Sequence, residues 1–149
     1  GSLTRQQLAA TIVRYFPQVA ELPQNMQIMT DAQESWARPE IHVIVGTGLI
    51  DPFPNHTFRP AVPITRGLFA LSMSRLARLL GIAPADSPGI PVTDLKPTDA
   101  LYRDIQTVLG LGILGLEDSG SFNVSGGVCG EEAVRAVERL LRLSRRKDG

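Results

Sequence analysis

The chain has 149 residues, fifteen basic and fifteen acidic, with a hydrophobic fraction of 43%. That length and composition suit a soluble domain with a real core. A zero net charge argues against a nucleic-acid binder, which carries a basic excess on one face, and no apolar run reaches membrane-spanning length.

Leu3-Thr4-Arg5-Gln6-Gln7-Leu8-Ala9 opens the first predicted helix. Thr4 is placed as an N-cap, with Gln7 three residues on as the second half of a capping box. Leu3 and Leu8 have the spacing of a hydrophobic staple. Leu8, Ile12, Tyr15 and Phe16 continue as an apolar stripe at helical spacing. Residues 17–34 hold Pro17 and Pro23 and read as a connection. A short helix fits Trp36 to Thr47, with Pro39 near its start, where a missing N–H is tolerated, and Gly48 as its left-handed stop. Asp51 to Pro63 is a stiff turn with four prolines and a short extended piece, Thr57-Phe58-Arg59.

Ile64-Thr65-Arg66-Gly67-Leu68-Phe69-Ala70 then repeats the opening phrase at an offset of 61 residues. Thr65 takes the cap, and Phe69, Met73, Leu76 and Leu80 form the stripe. Gly81 to Pro97, which also contains Pro84, Pro88, Gly89 and Pro91, is the densest cluster of breakers and the expected boundary between repeats. A second short helix fits Thr98 to Leu111, followed by Gly112. Val128-Cys129-Gly130-Glu131-Glu132-Ala133-Val134 is a third, worn copy of the phrase, 64 residues after the second. Its helix carries Val134, Val137, Leu140 and Leu141, and ends in Arg139, Arg142, Arg145, Arg146 and Lys147. Basic residues suit a helix C-terminus, and a contact with an anionic polymer or membrane surface is the second reading of that end. Thr30-Asp31 matches Thr93-Asp94, and Thr57-Phe58 matches Ser121-Phe122. A period of this size marks repeated supersecondary units.

Arg5 and Arg66 stand at the first helical position, where a cation is unfavourable unless something negative is near. The answer is either an external carboxylate or an internal partner such as Asp31 or Asp94. Thirteen of the fifteen basic residues are Arg, whose planar fork suits carboxylates, although coding bias explains the count as well. Trp36, the only tryptophan, can lie against a sugar ring or anchor a core edge. Phe58 and Phe122 read as plugs beneath their turns. Gly110-Leu111-Gly112-Ile113-Leu114-Gly115 matches G-x-G-x-x-G but closes a helix rather than opening one, which excludes a dinucleotide site. His42 and His56 lack partners at metal-ligand spacing, and Glu131-Glu132 suit a helix start without hydrolytic chemistry. Cys129 is expected to be a small buried residue. Asn55-His56-Thr57 and Asn123-Val124-Ser125 match the glycosylation sequon by chance.

Taken in order, Thr30-Asp31, Ser35-Trp36-Ala37, Ile41, Gly48-Leu49-Ile50, Thr57-Phe58-Arg59-Pro60 and Ile64-Thr65-Arg66 resemble an S-layer homology repeat. The resemblance implies an all-α fold of tandem helical repeats (short helix, Pro-rich loop, long helix) about a pseudo-threefold axis. The expected division is residues 1–27 as the closing helix of a truncated first repeat plus linker, 28–81 as the second repeat and 82–149 as a degenerate third. Gly1-Ser2 reads as a cloning remnant, so the native start and any targeting signal are expected upstream. The implied function is non-catalytic attachment of a larger protein to cell-wall or surface polysaccharide in a bacterial envelope, without cofactor or metal. Carried over by position, the ligand residues are Arg5, Arg66, Asp31 and Asp94, with Trp36 facing a sugar. The lost Thr-Arg pair at Cys129-Gly130 and the altered turns favour one or two sites rather than three. They also keep open an alternative, a scaffold that binds other envelope proteins and has lost the glycan.

Overall fold

The computed structural model describes residues 1–84 and 89–148; Pro88 and the Lys147 side chain, both named above, lie outside the described residues. Among those residues the fold is all-α, with five α helices, one 3₁₀ helix, and isolated β-bridges such as Thr4 with Pro63 and Phe53 with Thr57 instead of strands. The chain parts into two compact units, Gly1–Ile64 and Thr65–Gly149.

In the first unit, α1 (Arg5–Tyr15) leads through the 3₁₀ helix Pro17–Glu21 to α2 (Arg38–Gly46), and α1 packs on both. The capping box at the start of α1 is complete. Thr4 Oγ1 accepts from the Gln7 N–H at 3.3 Å, and Gln7 Oε1 accepts from the Thr4 N–H at 2.9 Å. Leu8, Ala9 and Ile12 of α1 are buried with Phe16, Val19, Ile41, Ile44 and Phe58, while Tyr15 is half-exposed. The short helix starts at Arg38 rather than Trp36, because the backbone at Trp36 and Ala37 is still in a turn closed by the Ser35 hydroxyl, which accepts from the Ala37 N–H at 3.0 Å.

In the second unit, α3 (Arg66–Leu79) packs on α4 (Tyr102–Gly110) and α5 (Gly130–Asp148). Thr65 caps α3, its hydroxyl accepting from the Leu68 N–H at 3.2 Å. The long helices α1 and α3 therefore each pack on the short helix that follows in the sequence. Gly48, Gly81 and Gly112 terminate α2, α3 and α4 at φ of 80°, 74° and 72°, the left-handed conformation the helix stops require. In each case the next N–H reaches back five residues, as from Leu49 to the Ile44 carbonyl at 3.0 Å. Gly67 has a different reason to be glycine. A Cβ there would lie 2.9 Å from the Leu101 and Val124 side chains, so only a bare backbone lets the turn close on α3.

Candidate functional site

The same construction occurs in both units. In the first, the Asp31 carboxylate accepts from the N–H groups of Phe58 (2.7 Å) and Arg59 (2.8 Å), and Thr30 N–H donates to the His56 carbonyl at 2.8 Å. On the other side, Arg5 donates from Nε to the Phe58 carbonyl at 2.7 Å and from Nη2 to the Asp51 carbonyl at 2.9 Å. Its guanidinium lies over the Phe53 and Phe58 rings at 4.6 and 4.8 Å. Phe58 is thus gripped through its N–H by Asp31 and through its carbonyl by Arg5. Its ring is fully buried below, as the plug reading expected. The turn takes left-handed backbone at His56 and Arg59, and this pairing of donors with carboxylate oxygens holds them there. Arg5 is 3% exposed. Burial first, then the neighbouring Arg59 charge, lowers its pKa from the ordinary value, against the opposite pull of Asp51 and Asp31.

In the second unit, Asp94 accepts from the N–H groups of Phe122 (2.9 Å) and Val124 (3.1 Å), and Thr93 N–H donates to the Gly120 carbonyl. Arg66 donates from Nε to the Phe122 carbonyl at 2.8 Å and lies 4.8 Å from that ring. Slight desolvation works to raise the pKa of the exposed Asp94, but the turn's backbone N–H groups outweigh it and hold the carboxyl below its ordinary value. Here the arginine also meets an acid: Arg66 Nη1 and Glu132 Oε2 are 2.6 Å apart, with the carboxylate side chain 28% exposed. The internal anion for Arg66 is therefore Glu132, not Asp31 or Asp94. In the sequence Glu132 stands in the capping-box slot of the third copy, in place of Gln7 and Leu68, which marks a helix start but not this partner.

The first two N–H groups of α1 and of α3 are occupied. Arg5 and Gln6 donate to the Val62 and Pro60 carbonyls, and Arg66 and Gly67 to those of Gly126 and Val124. In each unit these carbonyls belong to a turn that closes over the helix end, so the macrodipole is answered by peptide carbonyls.

Two exposures differ from the expectations by residue type. Trp36 is 64% exposed and so does not sit at a core edge; Met26 and Ile28, earlier on the same segment, are also exposed. Cys129 is exposed rather than buried. With Arg66, Gly115, Leu116, Glu117, Asn123, Gly127 and Glu132 it lines an open cleft of about 460 Å³. Among the described residues no cluster of His, Cys, Asp and Glu is set to hold a metal, and no helix is long and apolar enough to cross a membrane.

Comparison with known proteins matches residues 28–70 to the S-layer homology domain. The chain is also 28% identical over 107 residues to the cellulosome-anchoring protein of Acetivibrio thermocellus, an alignment that covers 70% of this chain and 23% of that protein. The family match spans the Asp31 clamp and the Thr65-Arg66 helix start, so residues 28–70 are similar to an S-layer homology domain.

Proposed function

We propose that this chain is a non-catalytic attachment module that holds a larger protein at a bacterial cell surface by binding an anionic envelope polysaccharide. The S-layer homology match and the similarity to an anchoring protein support the attachment role. The observation that carries the glycan reading is the Arg66 cleft. A buried guanidinium, fixed at Nε by the Phe122 carbonyl, turns Nη1 toward a carboxylate on the wall of an open cleft. A ligand carboxylate can take the place of Glu132 at Nη1 there, in a charge-assisted hydrogen bond.

The five residues enter in two roles. Arg66 and Trp36 touch the polymer, one by charge and the other by its exposed ring. Arg5, Asp31 and Asp94 position the turns that shape the binding surfaces. A scaffold that binds envelope proteins instead is favoured by one observation, the engagement of every helix-start N–H named above by a carbonyl.

Retention of the purified chain on salt-washed cell-wall sacculi separates the two readings. Glycan attachment expects retention in the wild type and loss in Trp36→Ala, an exposed substitution that leaves the fold intact. It also expects Trp36 fluorescence to change as released wall polysaccharide is titrated in. A wild type that passes through unretained, with unchanged fluorescence, overturns it in favour of the scaffold.

A further inference from the structure

Three arginines on one face of α5 line a second cleft, of about 530 Å³, together with Glu132 and the turn Gly112 to Gly115. Arg135, Arg139 and Arg142 are spaced i, i+4, i+7, which places them in a row with about 6 and 4.5 Å of helix rise between successive members. Their existing contacts leave most of that charge available. Arg135 has only a solvent-exposed pair with Glu131, its side chain 65% and the acid's 81% exposed, a pairing worth little. Arg139 donates Nε to the Leu111 carbonyl at 3.0 Å, which fixes its plane. Its guanidinium lies across Gly112, 3.4 to 3.8 Å from where a Cβ would stand, so the glycine leaves room for the fork. Arg142 is exposed and makes no hydrogen bond or ion pair among the described residues. The acid in the cleft wall, Glu132, is already paired with Arg66. The cleft is therefore net cationic, with Ile113 and Leu114 supplying an apolar lining.

We infer that this cleft is a second binding subsite, taking a linear saccharide that bears a carboxylate on successive sugar units. Row-wise guanidinium forks match carboxylates repeated along a line. The apolar lining matches the C–H face of a sugar ring, which a bare polyphosphate lacks. A stiff ring also loses less conformational freedom on binding than a flexible acidic peptide. The ligand class rests on the attachment reading above; the cationic cleft does not.

The test is titration of the wild-type chain with oligogalacturonate, followed through the arginine Nε–Hε NMR signals, with the methyl-esterified oligomer as the uncharged control. The signals of Arg135, Arg139 and Arg142 are expected to move with the acid and not with its ester. Arg142→Gln, which removes no internal contact, is expected to weaken binding about tenfold. Arg145→Gln, a similar charge loss about 60° round the same helix from Arg142 and about 80° from Arg135, is expected to leave binding unchanged. Equal shifts with ester and acid, equal loss in both variants, or the same signals moving equally with inorganic sulfate at matched charge would each overturn the proposal. Specific uronate binding here alongside absent sacculus retention keeps the subsite and removes the attachment reading. Sacculus retention unaffected by Arg142→Gln, with no uronate shift, does the reverse.

Discussion

At the residue scale, the arginines and aspartates that resemble ligand residues also build the turns. Arg5 Nε and Nη2 satisfy two carbonyls from a site that is 3% exposed. Arg5→Ala leaves both acceptors without their charged donor and opens space beside Phe58. We expect a loss of about 3 kcal/mol in urea unfolding. Arg5→Lys should recover less than half of this, because an ammonium cannot reproduce the fork. Asp94 adds a pH dependence with a definite sign. Its folded pKa lies below the unfolded value of 3.8, so the stability it contributes is present above that value and is lost as pH falls through the folded one. Asp94→Asn should therefore cost about 1 kcal/mol near neutral pH, and the gap from wild type should close as unfolding is measured progressively below pH 3.8. A gap that stays constant with acidification would show that the carboxylate charge plays no part.

At the element scale, the helix starts were legible because they depend on local chemistry. A threonine hydroxyl, an apolar residue before it and a glutamine three residues on need no knowledge of the rest of the chain, and the Thr4 box and Thr65 cap form as read. The Gly48 and Gly112 stops were legible for the same reason. What could not be read was long-range. Nothing near Glu132 in the sequence says that it faces Arg66, 66 residues away, and residue type alone assigns Cys129 to the interior and leaves Trp36 open between a core edge and a sugar-facing ring. The α5 stripe was read in part: Val137 and Leu140 are buried as expected, but Ala133 and Ala136 complete the buried line, while Val134 and Leu141 are half-exposed. Alanine lets the helix approach closely where valine would not. Gly67 tests the same long-range logic. An alanine in a helix interior ordinarily gains up to about 1 kcal/mol over glycine. At Gly67 its Cβ would meet Leu101 and Val124 at 2.9 Å, so Gly67→Ala should destabilise by about 1–3 kcal/mol in thermal or urea unfolding. A gain would mean that the Val124 turn yields easily.

At the scale of the whole molecule, fifteen positive and fifteen negative side chains cancel, while cationic groups gather locally along α5 and at Arg66. On the proposed attachment reading, capture of an anionic polymer should then depend on short-range contact rather than on attraction from a distance. The association rate, followed by stopped-flow fluorescence of Trp36, should change by less than about tenfold between 20 and 200 mM salt, the range over which screening removes long-range steering. A steeper fall would reveal a directed field that the balanced charge does not suggest.

The aspartate clamp has one more consequence. Asp31 and Asp94 hold peptide N–H groups, which every amino acid except proline supplies, so what they recognise is indifferent to spelling. The loop from Asp51 to Pro60 and the loop from Gly115 to Val124 share almost no letters, yet each is pinned by the same two-oxygen grip. Such a device lets surface chemistry drift between copies, and between descendants, while the shape persists. A lineage could retarget these loops toward new polymers without having to reinvent the scaffold beneath them.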